Sequence, residues 1–380
     1  MKVGVLLNNF GGFPETGRGA RACIDLAQRA EALGFDSVWV TDHIVLPMKR
    51  ETPYPHNESG HFPYTWDQEI FEPLTLMAAL ATATDRVEIG VSVLVIPYRH
   101  PLLTAKMLAT ADQLSGGRMI CGLGVSGPQV VEGWYGASYR KPLGRMCEYV
   151  SILRDVFARE APVTNDGVHY PIPYRGDDAT GLGKPLKSIL HGRADIPIVV
   201  GAEGPKNIEQ TAEIADGWLA MLLSPLHFDR VYRPKLDAGF AKAGGGKSID
   251  DFSIYVTMPI VPGDDLDACR DQIRPFLALY IGGMGAKEKN FHKNAIDRYG
   301  YEDATEEIQN LYLAGKKAEA AAAIPADLID QLSLVGPPEH MRDQLAAWQA
   351  LDLDFTMLVG LDPRNAERQL ALLRGLTELL

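Results

Sequence analysis

The feature that most constrains the fold of this chain is a regular alternation of short apolar runs with helical segments. Each run has the length and composition of a strand, and a helical pattern follows it. The eight runs are Val3 to Leu7, Ser37 to Thr41, Val87 to Val95, Arg118 to Leu123, Ile196 to Val200, Gly217 to Leu222, Phe252 to Pro259 and Phe355 to Leu358. Alternating βα units imply a parallel sheet, and eight of them predict an α/β fold, the (β/α)8 TIM barrel. An open doubly wound sheet is the alternative architecture.

The 380 residues are predicted to form a single barrel domain with insertions after strands 2, 4 and 7. These insertions cover about residues 44–69, 160–195 and 282–323. The first is a long loop rich in proline and aromatic residues, the second shows no helical pattern, and the third is the least regular part of the chain. Because long loops in compact domains usually carry function, we interpret the first insertion as a lid over the site.

Composition and charge limit the classes of partner. The formal charge of -12 argues against nonspecific binding to nucleic acid or to an anionic membrane, because both depend on an excess of lysine and arginine. No apolar run approaches the roughly 18 residues of a membrane span. The four cysteines are widely spaced and match neither a metal motif nor a disulfide framework. We therefore expect reduced thiols, no metal site and a cytoplasmic enzyme.

Asp42 and His43 end the second strand, directly before the first insertion. The active site of a barrel lies at the carboxyl ends of its strands. Two titratable side chains at this position therefore fit general acid–base chemistry. An ordinary polar strand end is the alternative interpretation.

Residues 122–127, Gly-Leu-Gly-Val-Ser-Gly, follow the fourth strand and match the G-x-G-x-x-G pattern of dinucleotide sites. Three features disfavour that fold: Pro128 follows at once, three βα units come first, and no strand-ending acid lies about 20 residues further on. The glycines instead predict a strand end that lets a flat ring approach the backbone.

Residues 201–206, Gly-Ala-Glu-Gly-Pro-Lys, join the fifth strand to a helix. The glycines, a proline near the first helical position and the free N–H groups of the helix start predict an anion site. Lys206 would add positive charge to it. An ordinary tight turn is the alternative.

Together these segments resemble the luciferase-like flavin and deazaflavin oxidoreductases, which are (β/α)8 barrels. The resemblance runs along nearly the whole chain. Besides Asp42-His43 it includes Ile89 to Leu94, Arg118 to Gly124, Gly201 to Pro205, Ala215 to Trp218 and Leu334 to Glu339. The runs Gly124 to Trp134 and Gly201 to Lys206 are similar to the branch that uses the deazaflavin coenzyme F420 rather than to the FMN branch.

The resemblance implies a role for each site residue. Ser92 and Val93 would be joined by a non-proline cis peptide, which forms a bulge behind the central deazaflavin ring. Asp42 would contact the ring system, and His43 would handle the substrate proton as hydride passes to or from the ring. The other cofactor-binding residues, which would line the ring and its phosphate-bearing tail, are Gly124, Val125, Ser126, Gly201, Ala202, Glu203, Gly204 and Lys206.

The resemblance therefore implies an oxidoreductase that transfers a hydride between coenzyme F420 and a small organic substrate. The family that the chain resembles often dimerises, so a homodimer is one expected assembly. One departure from the family argues against a sugar phosphate as the substrate. Some sugar-phosphate dehydrogenases of this branch have a glutamate just after the strand-four glycines, where this chain has Gly127. An FMN-dependent monooxygenase and a non-redox ligand-binding barrel are the alternative functions.

Overall fold

The computed structural model describes residues 1–7, 9, 19–45, 69–284, 290–360, 370, 371 and 375. Most of the predicted lid over 44–69 and of a last predicted helix over 363–379 lies outside the described residues. Within the described ranges, no helix has both the length and the apolarity that crossing a bilayer requires.

The described residues form eleven strands, nine of which build one closed parallel barrel. They are β1 (Lys2–Leu6), β2 (Ser37–Val40), β3 (Glu88–Val91), β4 (Leu94–Val95), β5 (Met119–Gly124), β6 (Ile198–Gly201), β7 (Gly217–Met221), β8 (Ser253–Thr257), β9 (Ile260–Pro262), β10 (Leu334–Gly336) and β11 (Phe355–Gly360). The barrel runs in the order β3-β2-β1-β11-β8-β7-β6-β5-β4, and pairing of β3 with β5 closes it. Strands β9 and β10 pair separately. All eight predicted strands are present, and the (β/α)8 barrel is confirmed.

The third barrel position is split into β3 and β4 by a bulge at Ser92 and Val93. Gly90 pairs with Ile120 of β5, whereas Leu94 pairs with Leu123. The split strand thus advances by one residue more than its neighbour, which is how a β-bulge displaces the chain. The peptide bond between Ser92 and Val93 is cis, as the resemblance implied.

A tryptophan is buried among the strands inside the barrel. Trp39 of β2 is fully buried in a cluster with Ile120, Val199, Leu219, Tyr255 and Leu358. A Cβ atom at Gly90 would lie 2.3 Å from the Trp39 ring, so β3 can pass this indole only with a glycine there. The Trp39 Nε1–H donates to Ser37 Oγ at 2.8 Å, which satisfies its buried polar atom.

Helices alternate with the barrel strands. They are α1 (Ala20–Ala32), α2 (Pro73–Ala83), α3 (Pro101–Ser115), α4 (Pro128–Gly133), α5 (Pro142–Ala158), α6 (Pro205–Ile214), α7 (Arg233–Ala243), α8 (Leu266–Gly283), α9 (Phe291–Asp297), α10 (Glu302–Leu313), α11 (Lys317–Ala322), α12 (Ala326–Leu332) and α13 (Pro338–Gln349). The segment 160–195 contains no helix, as predicted, and two isolated bridges pair Val163 with Leu186 and Asn165 with Ile172.

The segment over 282–323 is more regular than the sequence pattern indicated. It contains α9, α10 and α11, and α12 follows directly. Three of these four helices have only six or seven residues. An apolar face needs several turns to be recognised, so such short helices escape a search for periodicity. The sequence predicts one mixed-charge helical segment here, and the structure has α10 in that role with further short helices beside it.

Candidate active site

All predicted site residues lie at one rim of the barrel, where the parallel strands end. Asp42 and His43 follow β2, and Ser92 and Val93 lie between β3 and β4. The β5 end contributes Gly124, Val125 and Ser126, and the β6 end contributes Gly201, Ala202, Glu203, Gly204 and Lys206. These strands are consecutive neighbours, since β2 pairs with β3, β3 with β5, and β5 with β6. The structure thus brings the predicted residues together along one side of the rim.

The bulge packs its valine against two glycines. A Cβ atom at Gly124 would lie 2.2 Å from Val93 Cγ2, and one at Gly201 would lie 3.3 Å from Val93 Cγ1. The Ser92 N–H donates to the carbonyl of Val40 at 2.8 Å, which ties the bulge to the end of β2. Gly124 is therefore required to accommodate Val93, a reason that the glycine pattern alone did not indicate.

The loop after β5 is held by tyrosines. Ser126 is exposed and has a left-handed backbone with φ of 57°. The Tyr139 hydroxyl donates to the Ser126 carbonyl at 2.7 Å. Burial raises the pKa of Tyr98, although a hydrogen bond with the Ser126 side chain opposes the shift. Helix α4 begins only at Pro128 and has six residues, so the loop does not open a dinucleotide-type helix.

Asp42 is buried in a hydrogen-bonded ion pair. Its side chain is 1% exposed, and that of Arg99 is 12% exposed. The Asp42 carboxylate accepts from Arg99 at 2.6 and 3.1 Å and from the N–H of Val95 at 2.9 Å. Burial opposes the charge of Arg99, but hydrogen bonding and the charges of Asp42 and Glu72 outweigh it and raise the pKa of Arg99. The carboxylate therefore holds β4, the strand that directly follows the bulge, because Val95 belongs to β4.

Arg99 also joins the rim to the helix that follows the first insertion. Its Nη2 donates to Glu72 Oε1 at 2.8 Å. The other carboxylate oxygen of Glu72 accepts from the N–H of Thr75 at 2.6 Å and caps α2. Sequence reasoning missed Arg99, because an arginine just after a strand matches no motif that would have marked it.

His43 lies three residues beyond the end of β2, next to the buried Asp42, and its side chain is exposed. The neighbouring Asp42 is fixed by its ion pair, so the backbone that carries His43 is anchored on one side. His43 therefore lies at the solvent-exposed edge of the rim.

The turn between β6 and α6 has an uncapped helix start. Gly204 is the N-cap residue, it contributes no side-chain cap, and Pro205 occupies the first helical position. A Cβ atom at Gly204 would meet nothing within 4 Å. Lys206 is exposed, whereas Ala202 is buried and its carbonyl accepts from Trp218 Nε1 at 2.7 Å. Open N–H groups with a nearby lysine can bind an anion.

Glu203 of the same turn faces the third insertion. Its Oε2 lies 2.7 Å from Nδ1 of His292 on α9. The carbonyl oxygen of Glu203 lies 3.4 Å and 3.5 Å from the two Nη atoms of Arg298. Just beyond, the Tyr299 hydroxyl donates to the carbonyl of Leu222 at 2.8 Å, after β7. The third insertion therefore packs on the rim at the ends of β6 and β7.

Metal-binding side chains are not gathered anywhere in the part of the chain that the structure describes. All four cysteines are free. Burial raises the pKa of the Cys23 and Cys121 thiols to about 12. These thiols are therefore inert packing groups.

The site can be compared with known proteins. The model of the luciferase-like monooxygenase family matches residues 1–354. A Mycobacterium tuberculosis protein named as a coenzyme F420-dependent oxidoreductase is 44% identical over 360 residues, covering 94% of each chain. The 5,10-methylenetetrahydromethanopterin reductase of Archaeoglobus fulgidus is 30% identical over 323 residues, covering 83% of this chain and 82% of that protein.

A solved structure shares the fold. The coenzyme F420-dependent tetrahydromethanopterin reductase from Methanopyrus kandleri superposes with a TM-score of 0.69 at 20% identity, covering 96% of this chain and 95% of that one. The family model spans nearly the whole barrel, including every strand end of the site. This chain is a member of the luciferase-like monooxygenase family.

Proposed function

We propose that this protein is a coenzyme F420-dependent oxidoreductase that transfers a hydride between the deazaflavin ring and a small organic substrate. The observation that carries the proposal is the bulge at Ser92 and Val93, seated against Gly124 and Gly201 at the rim. The names of the relatives in M. tuberculosis and A. fulgidus support the same chemistry.

The residues present fit such a cofactor. The start of α6 offers backbone N–H groups, has no acidic residue in its first turn and leaves open space at Gly204. Phosphate binds well at such a helix start, because free N–H groups and the helix dipole both favour an anion. Gly204 and Lys206 would therefore hold the phosphate-bearing tail, and Gly201, Ala202 and Glu203 would shape the turn.

The ring would lie along the bulge. Ser92, Val93, Gly124, Val125 and Ser126 would line it, and the bound deazaflavin would supply the hydride chemistry. His43 would hold or release the substrate proton at its imidazole, a group that exchanges protons near neutral pH. Asp42 would act through the bulge, because its carboxylate is already bound by Arg99 and Val95.

We also infer a cytoplasmic homodimer. The proposed contact is the outer face of α2 and α3. Helix α2 carries no charged residue, and α3 exposes Leu102, Leu103 and Leu114, with Leu103 55% exposed. Barrel helices that face water normally carry charges on their outer side, so the uncharged α2 beside the exposed leucines of α3 supports a partner there. The free cysteines support a reducing compartment.

The proposal is tested by titrating the purified protein with coenzyme F420 and, separately, with FMN, following ligand fluorescence. We expect saturable binding of F420 at micromolar concentration or below and much weaker binding of FMN. Preference for FMN would instead favour a flavin monooxygenase, which oxygen uptake with reduced flavin would then reveal. Binding of neither would leave a non-redox barrel as the better account.

A negative charge at the start of α6 should weaken F420 binding. We expect Gly204→Glu to raise the dissociation constant at least tenfold, because the added carboxylate would occupy and repel the phosphate site. The open space at Gly204 allows the side chain without strain on the barrel. Fluorescence titration measures the change, and circular dichroism checks the fold.

Gly133→Glu is the matched control for that variant. A Cβ atom at Gly133 would also meet nothing within 4 Å, but this glycine ends α4, where no N–H group is free. The control should bind F420 as the wild type does. Equal affinities for Gly204→Glu and Gly133→Glu would remove α6 from the cofactor site.

A further inference from the structure

The turn that we propose for the cofactor phosphate carries an acid of its own. Glu203 lies two residues before Pro205, the first residue of α6. A carboxylate so close to a helix start is itself an anion that the free N–H groups attract. If it turned toward α6 it would occupy the site or repel a phosphate there.

In the structure the Glu203 carboxylate is directed to another element. Its Oε2 lies 2.7 Å from Nδ1 of His292, and the two side chains are 19% and 17% exposed. Both atoms are buried, and apart from this close contact neither has a hydrogen-bond partner among the described residues. His292 is therefore the group that compensates this carboxylate oxygen.

The imidazole is held in place by the segment that carries it. Asn290 begins α9, and its Oδ1 accepts from the N–H groups of His292 and Lys293 at 3.0 and 3.1 Å. The Asn290 amide also donates to the carbonyls of Tyr280 and Ile281, both at 2.8 Å. The His292 ring packs edge-on against Tyr280, with ring centroids 4.7 Å apart. Helix α9 is thus fixed to the end of α8 with its histidine toward the rim.

The backbone of the turn is held from the same side. Both Nη atoms of Arg298, at the end of α9, lie within 3.5 Å of the Glu203 carbonyl oxygen. The adjacent Tyr299 binds the backbone of Leu222 and Ser224. Residue 203 is therefore contacted at both its side chain and its carbonyl by one short helix of the third insertion.

We propose that His292 is a positioning residue that holds the Glu203 carboxylate away from the start of α6 and so keeps this end of the site open to the phosphate of the cofactor. The inference rests on the proposed function. The third insertion would then contribute to cofactor selection. Only a ligand with a phosphate would bind more tightly when the start of α6 is free of the Glu203 carboxylate.

The test compares two ligands in four proteins. The ligands are coenzyme F420 and the phosphate-free ribityl deazaflavin that has the same ring. The proteins are the wild type, His292→Ala, Glu203→Gln and the double variant. We expect His292→Ala to weaken F420 binding about tenfold and to leave the phosphate-free ligand within twofold of the wild type, because only a phosphate competes with the released carboxylate.

Variants made in the Glu203→Gln background show whether His292 acts by positioning the Glu203 carboxylate or only by supporting the structure of α9. Without the carboxylate charge, removal of His292 should no longer weaken F420 binding, so the double variant should match Glu203→Gln. A loss that affects both ligands, or that persists in the double variant, would mean that His292 merely supports α9 and would overturn the inference. So would an unchanged F420 affinity in His292→Ala. A wild type that binds no F420 would overturn the proposed function together with the inference.

Discussion

We expect His43→Ala to lower kcat for hydride transfer by about two to four orders of magnitude, the usual contribution of a general acid or base. The exposed imidazole lies on the rim directly after the anchored Asp42. Because its proposed role is proton transfer rather than cofactor binding, the dissociation constant of F420 should change little. Single-turnover absorbance of the deazaflavin gives the rate, and fluorescence titration gives the affinity.

His191→Ala is the matched control. His191 is exposed, and its backbone carbonyl accepts from Gln113 near the end of α3, outside the rim. This control should retain the wild-type kcat. An unchanged kcat in His43→Ala would remove His43 from the chemistry, and a parallel loss of cofactor affinity would assign it to binding.

The barrel strands were predictable because each is covered on both faces. A strand with the barrel interior on one side and helices on the other reads as a continuous apolar run. In β6, for example, Val199 belongs to the cluster inside the barrel, and Val200 belongs to the layer between the sheet and the helices. Parallel topology then places all strand ends at one rim, which is why His43 and Gly201 could be assigned to one site from sequence.

The contacts within the site were not predictable, because they join residues that are distant in the chain. Arg99 and Asp42 are 57 positions apart, and His292 reaches Glu203 from a separate insertion. No local pattern encodes such pairs. Gly124 shows the same limit: the sequence indicated a glycine for close approach of a ring, and the structure adds that Val93 occupies the space beside it.

Removing the charge of Asp42 should lower the free energy of unfolding by about 3–5 kcal/mol, the range seen when one partner of a buried ion pair is lost. Asp42→Asn keeps the side-chain size, but its amide offers one oxygen to donors from Arg99 and Val95. The Arg99 charge then stays largely buried, and the remaining acidic partner among the described residues is the more exposed Glu72. Urea unfolding followed by circular dichroism measures the change.

The matched control is Asp166→Asn, which breaks an ion pair of similar length in an exposed setting. Arg175 lies 2.7 Å from Asp166, but the side chains are 61% and 80% exposed, so its loss should change stability by less than about 1 kcal/mol. The double variant Asp42→Asn with Arg99→Gln should be less destabilised than the sum of the single variants, because no buried charge remains unpaired. Equal losses for Asp42→Asn and Asp166→Asn would show that burial adds nothing to the pair. The bulge would then have to be held by the Ser92–Val40 hydrogen bond and by the packing of Val93.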